Sequence, residues 1–264
     1  MNRLMLLIIA SVATLQLHAV RVVPVRRTPE SRTVQLFIAF PREYENRTRQ
    51  PISMQMRLEG FPLGITSDFD RKTQIYNDPR GQSLHVFIDD RPYVSYHESV
   101  EDSFDENRVF YDRFLNFDLP YRLDSGQHVI RTLPCRSFGE CLKERGAYAM
   151  SIFYVNDASR ESSIDFDPDA PYLTYNLPQG TYPAAQADPI LLDFYLSNVQ
   201  LSRDGYKVRL SVDGKVEGLL AIWTPYYLYG LEEGRHTIRL ELIDRKEKVV
   251  SGLFNDVQRE IVIR

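Results

Sequence analysis

Two cysteines, Cys135 and Cys141, frame the most chemically loaded stretch of the chain. Thiols this close together either form a disulfide or offer two soft metal ligands. With no histidine beside them in sequence they fall short of a zinc site, which takes four ligands. An even count at close spacing in an oxidising compartment favours the disulfide. Closing so short a loop contributes about 2 kcal/mol in the chain-entropy picture. Arg136, Glu140 and Lys143 gather charges of both signs around this turn. The turn reads either as a polar recognition surface on a rigid scaffold or as an internally salt-bridged loop.

A second candidate is aromatic. Trp223, Tyr226, Tyr227 and Tyr229 lie close together. Exposed rings can stack on sugars, and rings with a polar handle serve interfaces. The same residues also read as a strand contributing to a core. The third group is acidic: Glu98, Glu101, Asp102, Asp105 and Glu106, followed by Asp112, and the alternating Asp165, Asp167 and Asp169. Calcium takes several carboxylate oxygens. No Asp-x-Asp-x-Asp-Gly loop occurs, however, and Pro168 interrupts the second group, so solvated charge is the expectation for both.

Catalytic signatures are missing. There is no Gly-x-Ser-x-Gly elbow. Nothing marks His85, His97, His128 or His236 as a catalytic base, and the two-histidine, one-cysteine set of a copper site is not present. No carboxylate pair carries a glycosidase signature. The expectation is a non-enzyme with no cofactor and no metal. Asn46-Arg47-Thr48 fits a glycosylation sequon, which matters only in a eukaryotic host.

The elements that must carry these groups are strands. Residues 34–40, 52–58, 84–88 and 236–242 are short and rich in β-formers, most with period-two alternation. Gly, Pro, Asp and Asn punctuate the gaps. No long segment has a helical apolar period. Internal similarity is the most informative feature. Residues 51–58 align with 189–196, 86–90 with 210–214, and 123–131 with 231–239, in the same order. The shrinking offset places extra residues in the first half, at about 65–82 and 91–121. The last block, Leu-x-x-Gly-x-His-x-Ile-Arg, is a turn leading into a strand. Gly126 and Gly234 supply the positive φ such a turn needs. The equivalence of His128 and His236 points to a structural hydrogen bond at the strand start.

This organisation predicts an all-β chain of two β-sandwich domains, residues 31–156 and 171–264, joined by a polar linker over 157–170. Residues 1–19 read as a signal peptide. A basic head ending at Arg3 precedes an apolar run too short for a span of ~20 residues, and Ala19 stands at the expected cut. Residues 20–30, with Arg21, Arg26 and Arg27, read as a flexible basic arm. No later segment is apolar enough for a membrane span. The 264 residues are 43% hydrophobic and 26% charged, enough to bury a core without metal or disulfide support. A net charge of −4 argues against nucleic-acid binding.

The Gly-x-His-x-Ile-Arg turn after a strand ending Asp-Asp or Asp-Gly resembles immunoglobulin-like β-sandwich modules of secreted bacterial proteins. In such proteins an Arg-Ser-aromatic-x-Glu-x-x-Lys loop follows the strand. Arg136, Ser137, Phe138, Glu140 and Lys143 match it, and Cys135 and Cys141 depart from it. The resemblance implies an extracytoplasmic accessory or binding role with a protein or glycan partner in the cell envelope. It implies no reaction, because fold does not dictate function. The candidate binding residues are Arg136, Glu140, Lys143, Trp223, Tyr226 and Tyr227. A carbohydrate-binding or envelope-associated module, a structural spacer and a hydrolase with an unrecognised site stand as alternatives.

Overall fold

The computed structural model describes residues 20–30, 33–97, 112–161 and 166–264. The apolar leader, Glu98, Glu101, Asp102, Asp105, Glu106 and Asp165 lie outside them. In chain order the strands are β1 (Arg21–Pro24), β2 (Gln35–Phe40), β3 (Asn46–Arg47), β4 (Ser53–Glu59), β5 (Ser83–Ile88), β6 (Val94–Tyr96), β7 (Asp112–Asp118), β8 (Gly126–Cys135) and β9 (Ala149–Val155). They continue as β10 (Tyr172–Leu177), β11 (Gly180–Tyr182), β12 (Ile190–Ser197), β13 (Lys207–Val212), β14 (Lys215–Leu220), β15 (Tyr226–Tyr229), β16 (Gly234–Ile243) and β17 (Asp256–Ile263). The only other regular structure among the described residues is three short 3₁₀ turns, at Asp70–Thr73, Arg145–Ala147 and Ala184–Gln186. The chain is all-β, as the strand periodicity predicts.

The strands form four sheets, ordered β2-β4-β7, β3-β9-β8-β5-β6, β1-β15-β12-β10 and β11-β17-β16-β13-β14. Apart from β1, the last two repeat the first two strand for strand. β3 and β11 each run parallel to the final strand of their half. β4 shows why the pattern folds so: Met54, Met56 and Leu58 are buried while the residues between them are not. They close the first core with Leu36, Leu84, Val86, Ile130 and Phe153. Leu173, Leu192, Phe194, Leu210, Ile238 and Leu240 belong to the second. Each such side chain is worth roughly 1.5–3 kcal/mol when withdrawn from water.

The duplicated turn is built twice with the same bonds. Asp89 and Asp213 adopt φ of 54° and 50°, and Gly126 and Gly234 of 136° and 137°. His128 Nδ1 lies 2.7 Å from Asp89 Oδ2 and its Nε2 3.0 Å from the Asp124 carbonyl. His236 repeats this with Asp213 at 2.7 Å and the Glu232 carbonyl at 2.9 Å. Both ring nitrogens face acceptors, so both must donate, which is the protonated ring. Burial alone would lower each pKa. The aspartate and carbonyl partners outweigh it and raise both.

β5, β8, β10 and β12 are buried almost throughout instead of alternating. One face of each fills its own core. The other joins apolar clusters that mix both halves: Phe138 with Leu177, Leu191 and Tyr227; Phe87 and Leu133 with Tyr195; Val129 and Ile152 with Tyr172 and Phe254. The four sheets therefore stack as layers, the two halves lying side by side with a seam between the inner pair.

One expectation is reversed. Residues 20–30 do not form a flexible arm. Val22 and Val23 pair with Leu228 and Tyr227 as β1 extends the sheet of the second half along β15. A β-branched pair beside an open edge gains a full ladder of hydrogen bonds by docking. Arg21 and Arg27 then lie over the Tyr229 and Trp223 rings.

Candidate functional site

The disulfide between Cys135 and Cys141 is formed, and it shapes the loop that enters the seam. Gly139 sits at its tip with φ +84°, where a Cβ would run into Leu177 Cδ1. The positive φ favours glycine here, and a side chain would also have to displace the Leu177 methyl.

From this loop Lys143 reaches Asp193 on β12, Nζ to Oδ1 2.6 Å, with both side chains almost fully buried. Lys143 also donates to the Cys141 carbonyl at 3.0 Å. Asp193 Oδ2 accepts from Asn176 Nδ2 at 2.8 Å and from the Cys141 amide at 3.2 Å. Burial pushes the Asp193 carboxyl up, against the pull of the Lys143 ammonium and the Asn176 hydrogen bond. Glu140 is held from the other side. Thr28 donates to it through its amide at 2.9 Å and through its hydroxyl, and Arg71 pairs with it. Glu30 accepts the Lys143 and Glu144 amides at 2.8–2.9 Å. Arg136 donates to the Pro29 carbonyl and lies 4.3 Å from the Phe69 ring centroid; burial lowers its pKa.

Arg136, Glu140 and Lys143 therefore do not form an exposed recognition surface. The structure brings them together, but buried, and their side chains bond outside the loop, Glu140 to Arg71, Lys143 to Asp193 and Arg136 to the Pro29 carbonyl, so the internally salt-bridged loop is not formed either. The physical reason is cover from two sides: β12 of the second half supplies Asp193 to Lys143, while the N-terminal segment and the 65–82 insertion supply Thr28 and Arg71 to Glu140. The aromatic set is likewise withdrawn from solvent. Tyr226 and Tyr227 are buried, with their hydroxyls on the Ile222 carbonyl at 2.7 Å and Gln74 Oε1 at 3.0 Å. Trp223 is half-buried and donates Nε1 to the Phe194 carbonyl at 3.1 Å. Its ring stands at 87° to Tyr195, and Tyr227 at 74° to Tyr229. These rings form no flat sugar-stacking platform.

Sequence reasoning missed Asp193, Asn176, His85 and the docking of Thr28 and Glu30. Asp193 had a signal, being the one charge in the apolar run of β12. His85 Nδ1 lies 2.8 Å from Asn176 Oδ1 and 3.8 Å from Cys141 Sγ. His85, Cys135 and Cys141 thus meet in space, although not in sequence. Both sulfurs are committed to the disulfide and Nδ1 to Asn176, so no open ligand set results.

Beside this network the seam opens into a cleft of about 240 Å³. Its walls come from both halves. Ile75, Phe138, Leu177, Leu191 and Tyr182 supply apolar surface; Asp78, Arg80, His85, Tyr93, Ser95 and Gln179 supply polar groups. His85 stacks on Tyr93, ring centroids 3.7 Å apart. Burial holds the His85 pKa down at about 3, so the ring is neutral.

No known protein family matches the sequence, and no curated protein does. Among solved structures, the chain is similar to fibronectin(III)-like modules of CbhA from Clostridium thermocellum, at 12% identity and a TM-score of 0.28, over 87% of this chain and 94% of that one. Dimeric latent PorU from Porphyromonas gingivalis matches at 13% identity and 0.28, over 89% of this chain and 21% of that one. The Bacteroides ovatus protein SGBP-B, from a mixed-linkage glucan utilization locus and solved with a heptasaccharide, matches at 12% and 0.20 over 87% and 47%. This chain thus spans a fifth to a half of the latter two.

Among the described residues no helix is long and apolar enough to cross a membrane. The sandwich architecture stands on the chain's own strand order.

Proposed function

We propose that the chain is an exported, non-catalytic binding or accessory protein made of two immunoglobulin-like modules, residues 31–156 and 171–264, docked side by side. The observation that carries this reading is the Lys143–Asp193 pair, joining the disulfide-clipped loop of one module to β12 of the other. A buried pair of this kind is satisfied only in one relative placement. It supports a rigid scaffold whose ionisable groups bond to one another. Side-by-side packing gives little reach, which disfavours a spacer. The hydrolase alternative gains little from the cleft. His85, with its pKa near 3, is a weak general base at neutral pH, and its Nδ1 faces an amide instead of a carboxylate.

The disulfide and the signal-peptide layout of residues 1–19 support export. The partner is a protein or glycan of the cell envelope.

A C-terminally tagged full chain expressed in its host tests this. The expected result is a mature N-terminus at Val20, cysteines that resist alkylation without reductant, and saturable retention by the envelope fraction. A cytosolic protein with an intact leader and two free thiols overturns it.

A further inference from the structure

His85 and Tyr93 present the cleft with polar atoms that the protein itself leaves unused. Asn176 spends its amide hydrogens on the Gly139 carbonyl and Asp193, so its oxygen must accept from His85 Nδ1. The tautomer is thereby fixed. The proton sits on Nδ1, and Nε2 carries a bare lone pair with no partner among the described residues, on a side chain 3% exposed. The stacked Tyr93 has its hydroxyl among Tyr182, Asp78, Arg80 and Tyr76, and that hydroxyl makes no hydrogen bond among the described residues. Neither atom is among the described polar atoms that are both fully enclosed and unpartnered, so both reach the cleft, where a ligand can meet them.

The charges lining the cleft select the class of donor. Asp78 is paired: its two oxygens take Arg80 Nε at 3.1 Å and NH2 at 2.7 Å, with the Arg80 amide at 2.9 Å. His97 approaches the same carboxylate at 3.8 Å. Arg136 turns toward Pro29 and Phe69, and His85 is neutral. Among the described lining residues the one carboxylate is paired, and Arg136, the cation without a carboxylate bond, gives its guanidinium to the Pro29 carbonyl and keeps its Nε fully enclosed. A purely apolar occupant would leave Nε2 and the Tyr93 hydroxyl unmet in a site shielded from water. The volume of about 240 Å³ far exceeds the ~10–15 Å³ that one water requires.

We propose that the seam cleft binds a small, neutral, hydroxyl-rich molecule, a free sugar or the terminal unit of a glycan, whose O–H donates to His85 Nε2 and whose second hydroxyl meets Tyr93. This rests on the reading of the chain as a binding protein and names the ligand class.

The test uses the mature full chain, with glucose, galactose, N-acetylglucosamine and a β-linked oligosaccharide of each, beside indole and inorganic phosphate. The readout is the imidazole nitrogen resonance of His85 Nε2, which shifts when that atom accepts a hydrogen bond. We expect a saturable shift with at least one sugar. Tyr93→Phe is expected to weaken it about tenfold, one hydrogen bond near 1.4 kcal/mol, while leaving thermal stability unchanged. His85→Phe should abolish binding; if that variant does not fold, Tyr93→Phe carries the test. Equal affinity for the monosaccharide and its oligosaccharide assigns a free sugar; tighter oligosaccharide binding assigns a glycan terminus. No shift with any sugar, a shift with indole or phosphate alone, or sugar binding indifferent to Tyr93→Phe overturns the proposal. Envelope retention that persists without a sugar response sinks the cleft and leaves the binding reading standing. Loss of retention with the sugar response intact does the reverse.

Discussion

Replacing Lys143 by methionine tests the seam where it is most exposed to error. The methionine fills nearly the same volume but removes the ammonium. Asp193 would keep Asn176 Nδ2 at 2.8 Å and the Cys141 amide at 3.2 Å, yet no positive charge, at a fully buried position. Breaking one partner of a buried pair costs about 3–5 kcal/mol, most of it the penalty on the surviving charge. At about 2–4 °C per kcal/mol for a chain of this size, K143M should lower Tm by about 6–20 °C. The second arm is Asp193→Leu on the same background. With both charges gone the penalty disappears, and most of the loss should return.

Acid titration gives a third reading of the same variant. Burial already raises the Asp193 carboxyl, and without Lys143 nothing of opposite charge resists it. An acid whose folded pKa lies above its unfolded value favours folding while protonated and loses that advantage as pH rises through the folded pKa. The deficit of K143M should therefore shrink as pH falls. Urea denaturation across pH, fitted for midpoint and slope, measures all three. A K143M cost below about 1 kcal/mol, or a double variant no more stable than the single, would refute the claim that this pair locks the halves together.

The two histidine turns predict a pH dependence of the same sign at higher pH. The His128 and His236 pKa values are raised, so their stabilisation is complete below the unfolded value of about 6.5 and lost as pH rises through the folded values. The double variant His128→Gln and His236→Gln should flatten the stability profile between about pH 6 and 8, read by thermal melts. Gly139→Ala and Gly214→Ala separate backbone strain from the seam. Both positions have positive φ, +84° and +80°, but only the first meets a neighbour. Urea midpoints should place Gly139→Ala at least about 1 kcal/mol below Gly214→Ala, the cost of overpacking Leu177. Removing the disulfide as Cys135→Ser and Cys141→Ser should cost about 2 kcal/mol; calorimetry showing no loss would mean that the seam alone holds the loop.

The repeat and the β class were legible because they depend on local signals. Alternation in β4 and the glycine of each Gly-x-His turn are written within ten residues, and the aspartate that meets each histidine ends a strand 39 or 23 residues earlier. The seam was not legible, because it depends on which outer faces meet. β12 reads as an apolar strand whichever neighbour it has. Only Asp193, isolated among Leu192 and Phe194, hints that one face meets a partner charge. Arg136, Glu140 and Lys143 were found as a group by their spacing, but spacing carries no information about cover. The aromatic set misled for the same reason: Tyr226 and Tyr227 have the composition of a binding face and the burial of a core. Residues 20–30 failed differently. Their prolines and arginines suggest a solvated tail, while Val22 and Val23 pair with the free edge of β15 two hundred residues away.

The asymmetry between the halves adds contacts to the interface. The repeated blocks align, and the extra residues of the first half were placed at about 65–82. That insertion supplies Arg71 to Glu140, Gln74 to Tyr227, and Ile75 to the shared apolar cluster. Asp78 and Arg80, at the cleft, come from it too. Ser67 fastens it to the disulfide loop through Ser137, 2.9 Å and 3.1 Å. The second half has no counterpart, and at its loop Asp244 accepts only the amides of its own turn, from Lys246 at 2.7 Å and Lys248 at 3.0 Å. The seam sets the β5–β8 sheet of one half against the β10–β12 sheet of the other, which are not counterparts in the repeat, so the contact is head-to-tail. One half supplies the loop and its lysine, the other the strand and its aspartate. The insertion that breaks the symmetry also walls the cleft, which ties any ligand bound there to the docking of the two halves.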